Sequence, residues 1–560
     1  MTSPPERAHA LPYEELCKVI ENVMSMNHDK PLLKIINSNH LPSKPQYPSV
    51  YLSTLSEKDL NLALRVIVVA FYVTEGREIP REYQVRAVCA SYANDSAIIA
   101  GTGSGKTLIT ALLMWMTGRG RVSITVSPLK RLQETQGKDF EEKYRIPTLV
   151  VNESTERTAD FWKENVFEYS ARVPGRIQHL LVTPEQLFKL KEGYHSRTGN
   201  LIRDQRYKKF IRRFFIDEAH FIHYAGLSHN TQKAFRPAYG QLDEIKVLFP
   251  NIPWHALTAT APPHVLRSIQ SAVLNSKCAI IRYSSNQPNT VYAMHCVEGS
   301  LNNLDNYNMF LKEPFDFTTQ PRVLLFFDNK TLCAQVRQHL MERLPKTGLP
   351  FPREEIVRFY RAGMSKQFLE KAHDAFATPG GPCKIYCTTK CNSTGIDYPD
   401  VDIVATVDIP PDVAEALQHG GRVLRCSEKI GLFLILHEDW VLELDLSGFF
   451  EEPKGVNPDD PDRPRQPLTD KSNRQDRAAY SLVNLIQDKT LCMCRFFADY
   501  LNDTCPSDNG IAEVARTLPS KLRSSKDLQE LLEETDGWRE EWAQGILDVV
   551  VQFDREKARS

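Results

Sequence analysis

The chain has 560 residues and a formal net charge of −1, from 69 Lys and Arg residues against 70 Asp and Glu residues. This length predicts about three to four structural units, and the neutral balance excludes a protein that attracts nucleic acid over its whole surface. The longest apolar run, residues 66–73, is far shorter than the roughly 18 to 20 residues that cross a bilayer, so we expect no membrane partner. The charged N terminus does not resemble a secretory signal and the 12 cysteines are too sparse for a disulfide scaffold. We therefore expect an intracellular protein, in the nucleus or the cytoplasm.

Residues 1–60 contain a predicted helix over 13–26 and a proline-bearing loop, and form a predicted N-terminal helical extension. Over residues 61–285, short apolar runs alternate with longer helix-like segments, and a second such set covers residues 286–450. This alternation predicts an α/β fold with two tandem domains, each built on a parallel sheet. The predicted strands are 97–100, 122–126, 179–182, 214–216 and 255–258 in the first domain, and 323–327, 384–387, 403–407 and 432–436 in the second.

The C-terminal part has three predicted segments. Residues 451–478 hold five prolines among many Asp and Arg residues, a composition typical of a mobile, solvated linker. A helical segment follows over 479–507, and an acidic helical tail covers 508–560. The tail has 12 acidic and 8 basic residues, a net charge of −4, which argues against a role in binding DNA.

A strand-like run at residues 97–100 leads into a glycine-rich loop that ends in Gly-Lys-Thr. Glycines let the backbone turn tightly so that its N–H groups face an anion, and the helix that follows adds its positive N-terminal end. Lys106 would reach the β- and γ-phosphates of ATP, and the Thr107 hydroxyl would bind Mg²⁺. The alternative is a flexible loop without a ligand, and the flanking strand and helix argue against it. The predicted phosphate-binding residues are Gly101, Thr102, Gly103, Ser104, Gly105, Lys106 and Thr107.

Two carboxylates, Asp217 and Glu218, follow another apolar strand. ATP hydrolysis needs a carboxylate for the magnesium ion and a group that positions water. We expect Asp217 to hold the metal through its water shell and Glu218 to orient and deprotonate the attacking water. The alternative is a strand end with two solvated acids, which the glycine loop in the same domain disfavours.

With these two motifs, the chain resembles the superfamily 2 helicases, and within them the RecQ family of DNA helicases, over residues 80–505. The resemblance implies two RecA-like (P-loop NTPase) domains. Residues 81–84 resemble the motif that reads adenine, with Gln84 bidentate to the base. Residues 217–220 resemble the DEAH form of motif II, and residues 256–261 resemble motif III, which couples hydrolysis to strand movement. The resemblance further assigns Arg81 to the nucleotide, and Ser127 and Lys130 of motif Ia, with Thr183 of the next motif, to single-stranded DNA.

The second domain resembles the same family in the order of its motifs. Residues 287–290 resemble the start of that domain, 324–330 resemble motif IV, 388–397 motif V and 418–425 motif VI. Residues 360–364 resemble the Tyr-His-Ala-Gly element, with Arg361 in place of His. By this resemblance, the two arginines of motif VI face the γ-phosphate across the domain cleft; such an arginine is worth about 10³ to 10⁵ in rate. The alternative for them is surface salt bridging. The assigned residues are Gln418, Arg422 and Arg425 for catalysis, Asp397 for the nucleotide and Thr388 for DNA.

Two departures from the family pattern concern the coupling of DNA to ATP. Leu424 stands where RecQ proteins usually carry glycine, and a bulky side chain there could alter how Arg425 approaches phosphate. The loop after motif II, which senses single-stranded DNA in the family, is longer here and lacks the family's tryptophan, although Phe235 and Arg236 are retained. Tyr224 either replaces the tryptophan by stacking on a base, worth about 1 to 3 kcal/mol, or is a core aromatic.

Three cysteines, Cys492, Cys494 and Cys505, resemble the start of the RecQ zinc subdomain, but its usual further Cys-x-x-Cys pair is not in the sequence. Three thiolates make an incomplete tetrahedral set, so zinc here competes with buried free thiols as the explanation. About 55 residues follow Cys505, which is short of the roughly 100 residues of a winged-helix domain. We therefore expect a degenerate zinc subdomain and no winged helix.

The resemblance implies an enzyme that uses ATP and Mg²⁺ to move 3′-to-5′ along DNA and unwind duplex. Two alternatives remain open. One is an RNA helicase, because the glycine loop and carboxylates are shared across superfamily 2. The other is a nucleic-acid clamp or translocase that uses ATP without separating strands.

Overall fold

The computed structural model of the protein describes residues 11–37, 48–152, 155–156, 158–168, 173–189, 193–285, 287, 289–360, 364–389, 398, 400–424, 429–451, 455–469, 471–488 and 492–503. These residues divide into two units. The first unit contains the described residues up to Tyr283 and those within 451–477. The second contains the described residues of 284–390, 398–450 and 478 onward. No helix among the described residues combines the length and the apolar character that a membrane crossing requires.

Helices at the N terminus of the first unit pack against its sheet domain. Helix α1 confirms the predicted helix, because Leu16, Ile20 and Val23 recur at helical spacing and are buried. These side chains join those of the helices Glu57–Thr74, Glu82–Ser91 and Lys106–Trp115 in one hydrophobic core. The N-terminal extension is therefore part of the first unit. Its helices are α1 (Tyr13–Ser25), α2 (Asp29–Asn37), α3 (Ser49–Ser53), α4 (Glu57–Thr74) and α5 (Glu82–Ser91).

A seven-stranded sheet forms the centre of the first unit, in the order β3-β6-β2-β7-β8-β1-β9, with all neighbours parallel. Its central strands are buried along their whole length, as expected for a parallel sheet with helices on both faces. The strands are β1 (Ser96–Ala100), β2 (Val122–Val126), β3 (Thr148–Val151), β6 (His179–Val182), β7 (Ile211–Asp217), β8 (Trp254–Thr258) and β9 (Ala279–Tyr283), with a separate antiparallel pair, β4 (Phe167–Glu168) and β5 (Val173–Pro174).

The parallel order brings the carboxyl ends of β1, β2, β7 and β8 to one edge of this sheet, where ligands bind in open α/β folds. The helices that connect the strands are α6 (Lys106–Trp115), α7 (Lys130–Lys138), α8 (Ala159–Asn165), α9 (Arg197–Arg203), α10 (Gln205–Lys208), α11 (Phe221–Tyr224), α12 (Pro237–Gly240), α13 (Leu242–Leu248) and α14 (Pro263–Val273), with a π-helical turn at Asp139–Lys143 and a 3₁₀ turn at Pro184–Leu187.

The second unit is built on a six-stranded parallel sheet in the order β10-β15-β14-β11-β13-β12. This sheet, with the first, confirms the predicted α/β fold of two parallel-sheet domains. The strands are β10 (Thr290–Cys296), β11 (Val323–Phe327), β12 (Val357–Tyr360), β13 (Ile385–Thr389), β14 (Ile403–Val407) and β15 (Gly431–His437). The helices are α15 (Lys330–Arg343), α16 (Arg353–Ile356), α17 (Lys366–Ala377), α18 (Val413–Gly420) and α19 (Trp440–Glu443), with 3₁₀ turns at Leu304–Phe310 and Leu446–Phe450.

The proline-rich segment, residues 455–469, packs on the first unit. The Leu468 N–H donates to the Asn230 carbonyl (3.1 Å), and the Thr231 hydroxyl donates to the Leu468 carbonyl (2.9 Å). Asp462 and Arg463 are only 8% and 9% exposed. The expectation of a solvated linker is therefore wrong for these residues, because sequence composition does not register contacts with distant parts of the chain. A short helix, α20 (Arg474–Arg477), follows.

Two helices, α21 (Tyr480–Gln487) and α22 (Met493–Leu501), form the predicted C-terminal helical segment of the second unit. The acidic tail, residues 508–560, lies outside the described residues.

Candidate nucleotide and nucleic-acid site

The glycine-rich loop lies at the carboxyl end of β1, directly before α6. Gly105 has a φ of +86°, a left-handed conformation that favours glycine, and a Cβ there would meet the Gln84 amide nitrogen at 2.6 Å. Gln84 donates to the Gly105 carbonyl (3.0 Å) and accepts from the Arg81 N–H (2.8 Å). The Tyr83 hydroxyl donates to the Ser104 carbonyl. Helix α5 therefore supports the loop, and the side chain assigned to adenine is bonded to the loop itself.

The other predicted phosphate-binding residues line the same turn. Gly103 is exposed, Ser104 is buried, and Gly101 and Thr102 are partly exposed. Thr107 is the second residue of α6, so it lies where the helix carries partial positive charge. Exposed backbone beside a helix N terminus suits an anionic phosphate.

Lys106 and the two predicted catalytic carboxylates lie at this same edge of the sheet. The Lys106 ammonium donates to the carbonyls of Ala100 (2.7 Å) and Gly101 (3.2 Å). Burial, and after it the charge of Glu218, raises the pKa of Asp217 to about 6, while a hydrogen bond from Gln136 and the Lys106 charge oppose that rise. Lys106 therefore lies close enough to Asp217 for its positive charge to act on that carboxylate.

Mg²⁺ fits this corner because two adjacent carboxylates, Asp217 and Glu218, meet at the carboxyl end of β7. Burial first, and the Glu218 charge second, raise the pKa of Asp217. A divalent cation would stabilise the charged carboxylate against both effects, and oxygen ligands are those that Mg²⁺ prefers. Asp217 and the Thr107 hydroxyl are the residues that would hold it. When bound, Mg²⁺ neutralises charge on the β- and γ-phosphates.

Gln136 on α7 connects the predicted metal site with motif Ia. Its amide nitrogen donates to the Asp217 carboxylate (2.7 Å), and its amide oxygen accepts from the Ser127 hydroxyl (3.4 Å). Gln133, one turn earlier, donates to the Ser127 carbonyl (3.1 Å). Neither glutamine is predicted from the sequence, and the contact between Gln136 and Asp217 spans 81 residues. Their spacing of three would place them on one face of a helix, but no helix is predicted there from the sequence.

His220 of motif II contacts Thr258 of motif III. The Thr258 hydroxyl donates to the Thr260 carbonyl (3.1 Å). The His220 Nδ1 lies 2.9 Å from the Thr258 hydroxyl oxygen. Because the one hydroxyl proton is used, Nδ1 is the donor to Thr258. Burial, followed by the Lys106 charge, lowers the pKa of His220 to about 3. His220 is therefore neutral, and it joins the two motifs by a hydrogen bond rather than an ion pair.

The predicted DNA-binding residues of the first unit differ in exposure. Ser127 and Thr183 are buried, whereas Lys130 is exposed at the start of α7. Phe235 is 84% exposed, which is unusual for a ring of its size. Lys130 and Phe235 are therefore the two of these four residues that a ligand can reach directly.

Arg236 binds within the protein. Its guanidinium makes a bidentate pair with Glu185 (2.9 and 2.7 Å) and donates to the Pro128 carbonyl. Burial raises the pKa of Glu185, but the Arg236 hydrogen bond and charge, with backbone bonds, lower it below its ordinary value overall. Arg236 therefore ties together the three segments assigned to single-stranded DNA.

Tyr224 packs against the core of the first unit. Its ring lies 6.2 Å from that of His220 and 5.1 Å from that of His223, both edge-on. Of the two alternatives for Tyr224, this placement favours the core aromatic.

Motif VI lies at the end of α18 in the second unit. Gln418 is partly exposed on that helix, and Arg422 is buried. Leu424 is buried with a φ of +27°, so its backbone has the left-handed conformation that favours glycine. The Asn289 side chain donates to the Leu424 carbonyl (2.8 Å) and holds this turn. Thr388 on β13 is fully buried and its hydroxyl donates to the Thr389 carbonyl, so DNA cannot reach its side chain directly.

Several predicted residues, namely Asp397, Arg425 and Cys505, lie outside the described residues. Cys492 and Cys494 are reduced cysteines, and their mutual hydrogen bond, followed by burial, raises the pKa of Cys494. Zinc at these cysteines stays a prediction.

Two family matches cover most of the strands and motifs described above. Residues 81–269 match the DEAD/DEAH box helicase family, and residues 306–427 match the helicase conserved C-terminal domain. Among solved structures, the DUF1998 helicase MrfA bound to DNA has a TM-score of 0.51 at 16% identity, over 67% of this chain and 51% of that one. At that identity the likeness shows the fold alone.

Among curated relatives, "ATP-dependent DNA helicase hus2/rqh1" of Schizosaccharomyces pombe is 27% identical over 62% of this chain and 24% of its own length. "RecQ-like DNA helicase BLM" of Xenopus laevis is 26% identical over 62% of this chain and 23% of its own length. The chain thus spans about a quarter of the length of these relatives. Both helicase domain matches and these relatives support a RecQ-type helicase of superfamily 2.

Proposed function

We propose that this protein is an ATP-dependent DNA helicase that moves 3′-to-5′ along a strand and unwinds duplex. One observation carries the proposal: the glycine loop, Lys106 and the Asp217–Glu218 pair meet at the carboxyl edge of a parallel sheet. In this proposal, Lys106 binds the phosphates, Asp217 holds the magnesium through water, and Glu218 orients the water that attacks.

Two chains of contacts support coupling between nucleic acid and hydrolysis. One runs from Ser127 of motif Ia through Gln136 to Asp217. The other runs from His220 to Thr258 of motif III. If motif Ia shifts when it binds a nucleic-acid strand, the Gln136 side chain would carry that shift to Asp217. The roles of Gln418, Arg422 and Arg425 in hydrolysis are proposed from the family resemblance.

DNA is proposed as the substrate because the relatives above are named DNA helicases. The RNA helicase and the clamp are not favoured by these relatives. Their eukaryotic sources also support a nuclear location as part of the proposal.

The test combines an ATPase assay with strand displacement. The full chain is assayed for hydrolysis with no nucleic acid, with single-stranded DNA and with RNA of the same sequence, and for displacement on 3′-tailed and 5′-tailed duplexes. The Lys106→Ala variant is the control for contaminating activity. We expect stimulation by DNA and displacement only from the 3′ tail. Stimulation by RNA alone would indicate an RNA helicase, and hydrolysis without displacement would indicate a translocase or clamp.

A further inference from the structure

A cluster of metal-ligating side chains lies in the first unit, apart from the nucleotide residues. His264 comes from the first turn of α14, and Asp460 and Asp462 come from the proline-rich segment. One ligand atom from each residue lies within 4.8 Å of the other two, and His264 Nε2 is 4.0 Å from the Asp460 carboxylate. We propose that His264, Asp460 and Asp462 bind a divalent transition-metal ion of the zinc class.

The donor set fits such an ion. Zinc accepts both histidine nitrogen and carboxylate oxygen as ligands in tetrahedral sites, and the imidazole favours a transition metal over Mg²⁺ or Ca²⁺. Ligand atoms at about 2.1 Å from zinc lie about 3.4 Å from each other in a tetrahedron. The observed spacing therefore needs each side chain to move by about 1 Å or less, within reach of small rotations. Water would complete the coordination.

Two hydrogen bonds within the turn hold the segment that carries the two aspartates. The Asp462 N–H donates to the Asp460 carboxylate (2.9 Å), and the Arg463 N–H donates to the Asp460 carbonyl (3.2 Å). Asp462 is only 8% exposed. Two carboxylates two residues apart, one of them buried, repel each other, and a bound divalent cation would relieve that repulsion. A histidine–aspartate ion pair between His264 and Asp460 is the competing explanation, and the metal measurements below distinguish the two.

Other histidines pack next to the cluster. The His223 ring lies 5.1 Å from that of His264 and 4.2 Å from that of His229. The His223 Nδ1 is 2.9 Å from the Ser268 hydroxyl on the same helix as His264. His223 and His229 belong to the loop region after motif II, so the metal would fasten the proline-rich segment beside that loop. This role is structural and is independent of the proposed helicase activity.

Metal content tests the proposal. The full chain is loaded with Zn²⁺, dialysed against metal-free buffer and analysed by mass spectrometry. We expect about one zinc ion per chain. The Asp460→Asn/Asp462→Asn variant should lose it, and Asp459→Asn, an exposed aspartate on the same turn, should keep it. The Cys492→Ser/Cys494→Ser variant should also keep it, which separates this site from the cysteines. A wild-type chain without zinc, or zinc retained by the double aspartate variant, overturns the proposal.

Cobalt substitution provides a measurement that does not depend on the variants folding. Co²⁺ in the wild-type chain should give visible ligand-field bands without the near-ultraviolet band of a cobalt–thiolate bond. A thiolate band with no further bound cobalt would place the metal at cysteines and overturn the assignment. Circular dichroism of each variant checks that loss of metal is not loss of fold.

Discussion

Replacing Gln136 with leucine removes the side chain that joins motif Ia to Asp217. The variant loses a 2.7 Å hydrogen bond to a carboxylate and a 3.4 Å contact with the Ser127 hydroxyl. Hydrogen bonds to charged groups contribute about 1.5 to 3 kcal/mol, and each 1.4 kcal/mol corresponds to tenfold in rate. If the bond is needed to place Asp217 in the transition state, kcat/KM for ATP should fall by about 10- to 150-fold.

The direction of the pKa change gives this prediction a second measurement. The Gln136 bond lowers the pKa of Asp217, which burial and Glu218 raise to about 6. Without it the carboxyl keeps its proton to higher pH and binds Mg²⁺ less well. We therefore expect Gln136→Leu to need more Mg²⁺ than the wild type, and to recover part of its activity as the pH rises from 6.5 to about 8.5.

The matched control is Gln133→Leu, on the same helix. Gln133 bonds the Ser127 carbonyl but, unlike Gln136, is not bonded to Asp217. A general disturbance of α7 would change both variants alike. Steady-state ATPase at varied Mg²⁺ and pH measures both. The reasoning is refuted if Gln136→Leu keeps wild-type kcat/KM, or if both variants show the same Mg²⁺ dependence.

The remaining predictions concern hydrolysis, DNA coupling and acid stability. Lys106→Ala should abolish DNA-stimulated ATPase with an unchanged circular dichroism spectrum, and wild-type-like turnover would contradict the assignment of the phosphate loop. Arg236→Ala, which breaks the bidentate pair with Glu185, should reduce stimulation by single-stranded DNA more than basal ATPase; equal losses of both would contradict it. Burial lowers the pKa of His179 to about 3 and that of His255 well below its ordinary value. Both stay neutral when folded but gain protons when unfolded below pH 6.5, so lowering the pH from 7.5 to 5.5 should reduce the free energy of unfolding by about 1.4 kcal/mol for each. Urea unfolding of wild type, His179→Asn and His255→Asn measures this loss, and a loss unchanged by either substitution would exclude these histidines.

The buried strands could be predicted from sequence because their apolar runs are continuous. Strand β11, at Val323–Phe327, is buried throughout and was predicted residue for residue. Edge strands β9 and β10 were missed because they are only partly buried and mix polar with apolar residues. Edge strands carry less apolar surface, so the pattern that marks a central strand is weak there.

The candidate site could be predicted only where its residues are neighbours in sequence. The glycine loop and the Asp217–Glu218 pair are each continuous, and their chemistry can be read from residue type and spacing. The bonds from Gln136 and Arg236 cross 81 and 51 residues, and polar contacts over such distances depend on the final packing. Leu424 shows the limit in another way. The sequence shows leucine at this position where the family usually has glycine, but it does not show that the backbone φ is +27°.

The turn at Asn230 and Thr231 is hydrogen-bonded to Leu468, which the ribosome adds 237 residues after Thr231. Thr231 has a φ of +69°, a conformation that β-branched residues rarely adopt. It is held there by Leu468, 237 residues further on. During synthesis, the strands of the first sheet, which end at Tyr283, leave the ribosome long before Leu468 does. A fragment that stops at residue 450 would retain both family-matched domains but leave this strained turn without its partner, so it should relax toward a right-handed or extended backbone.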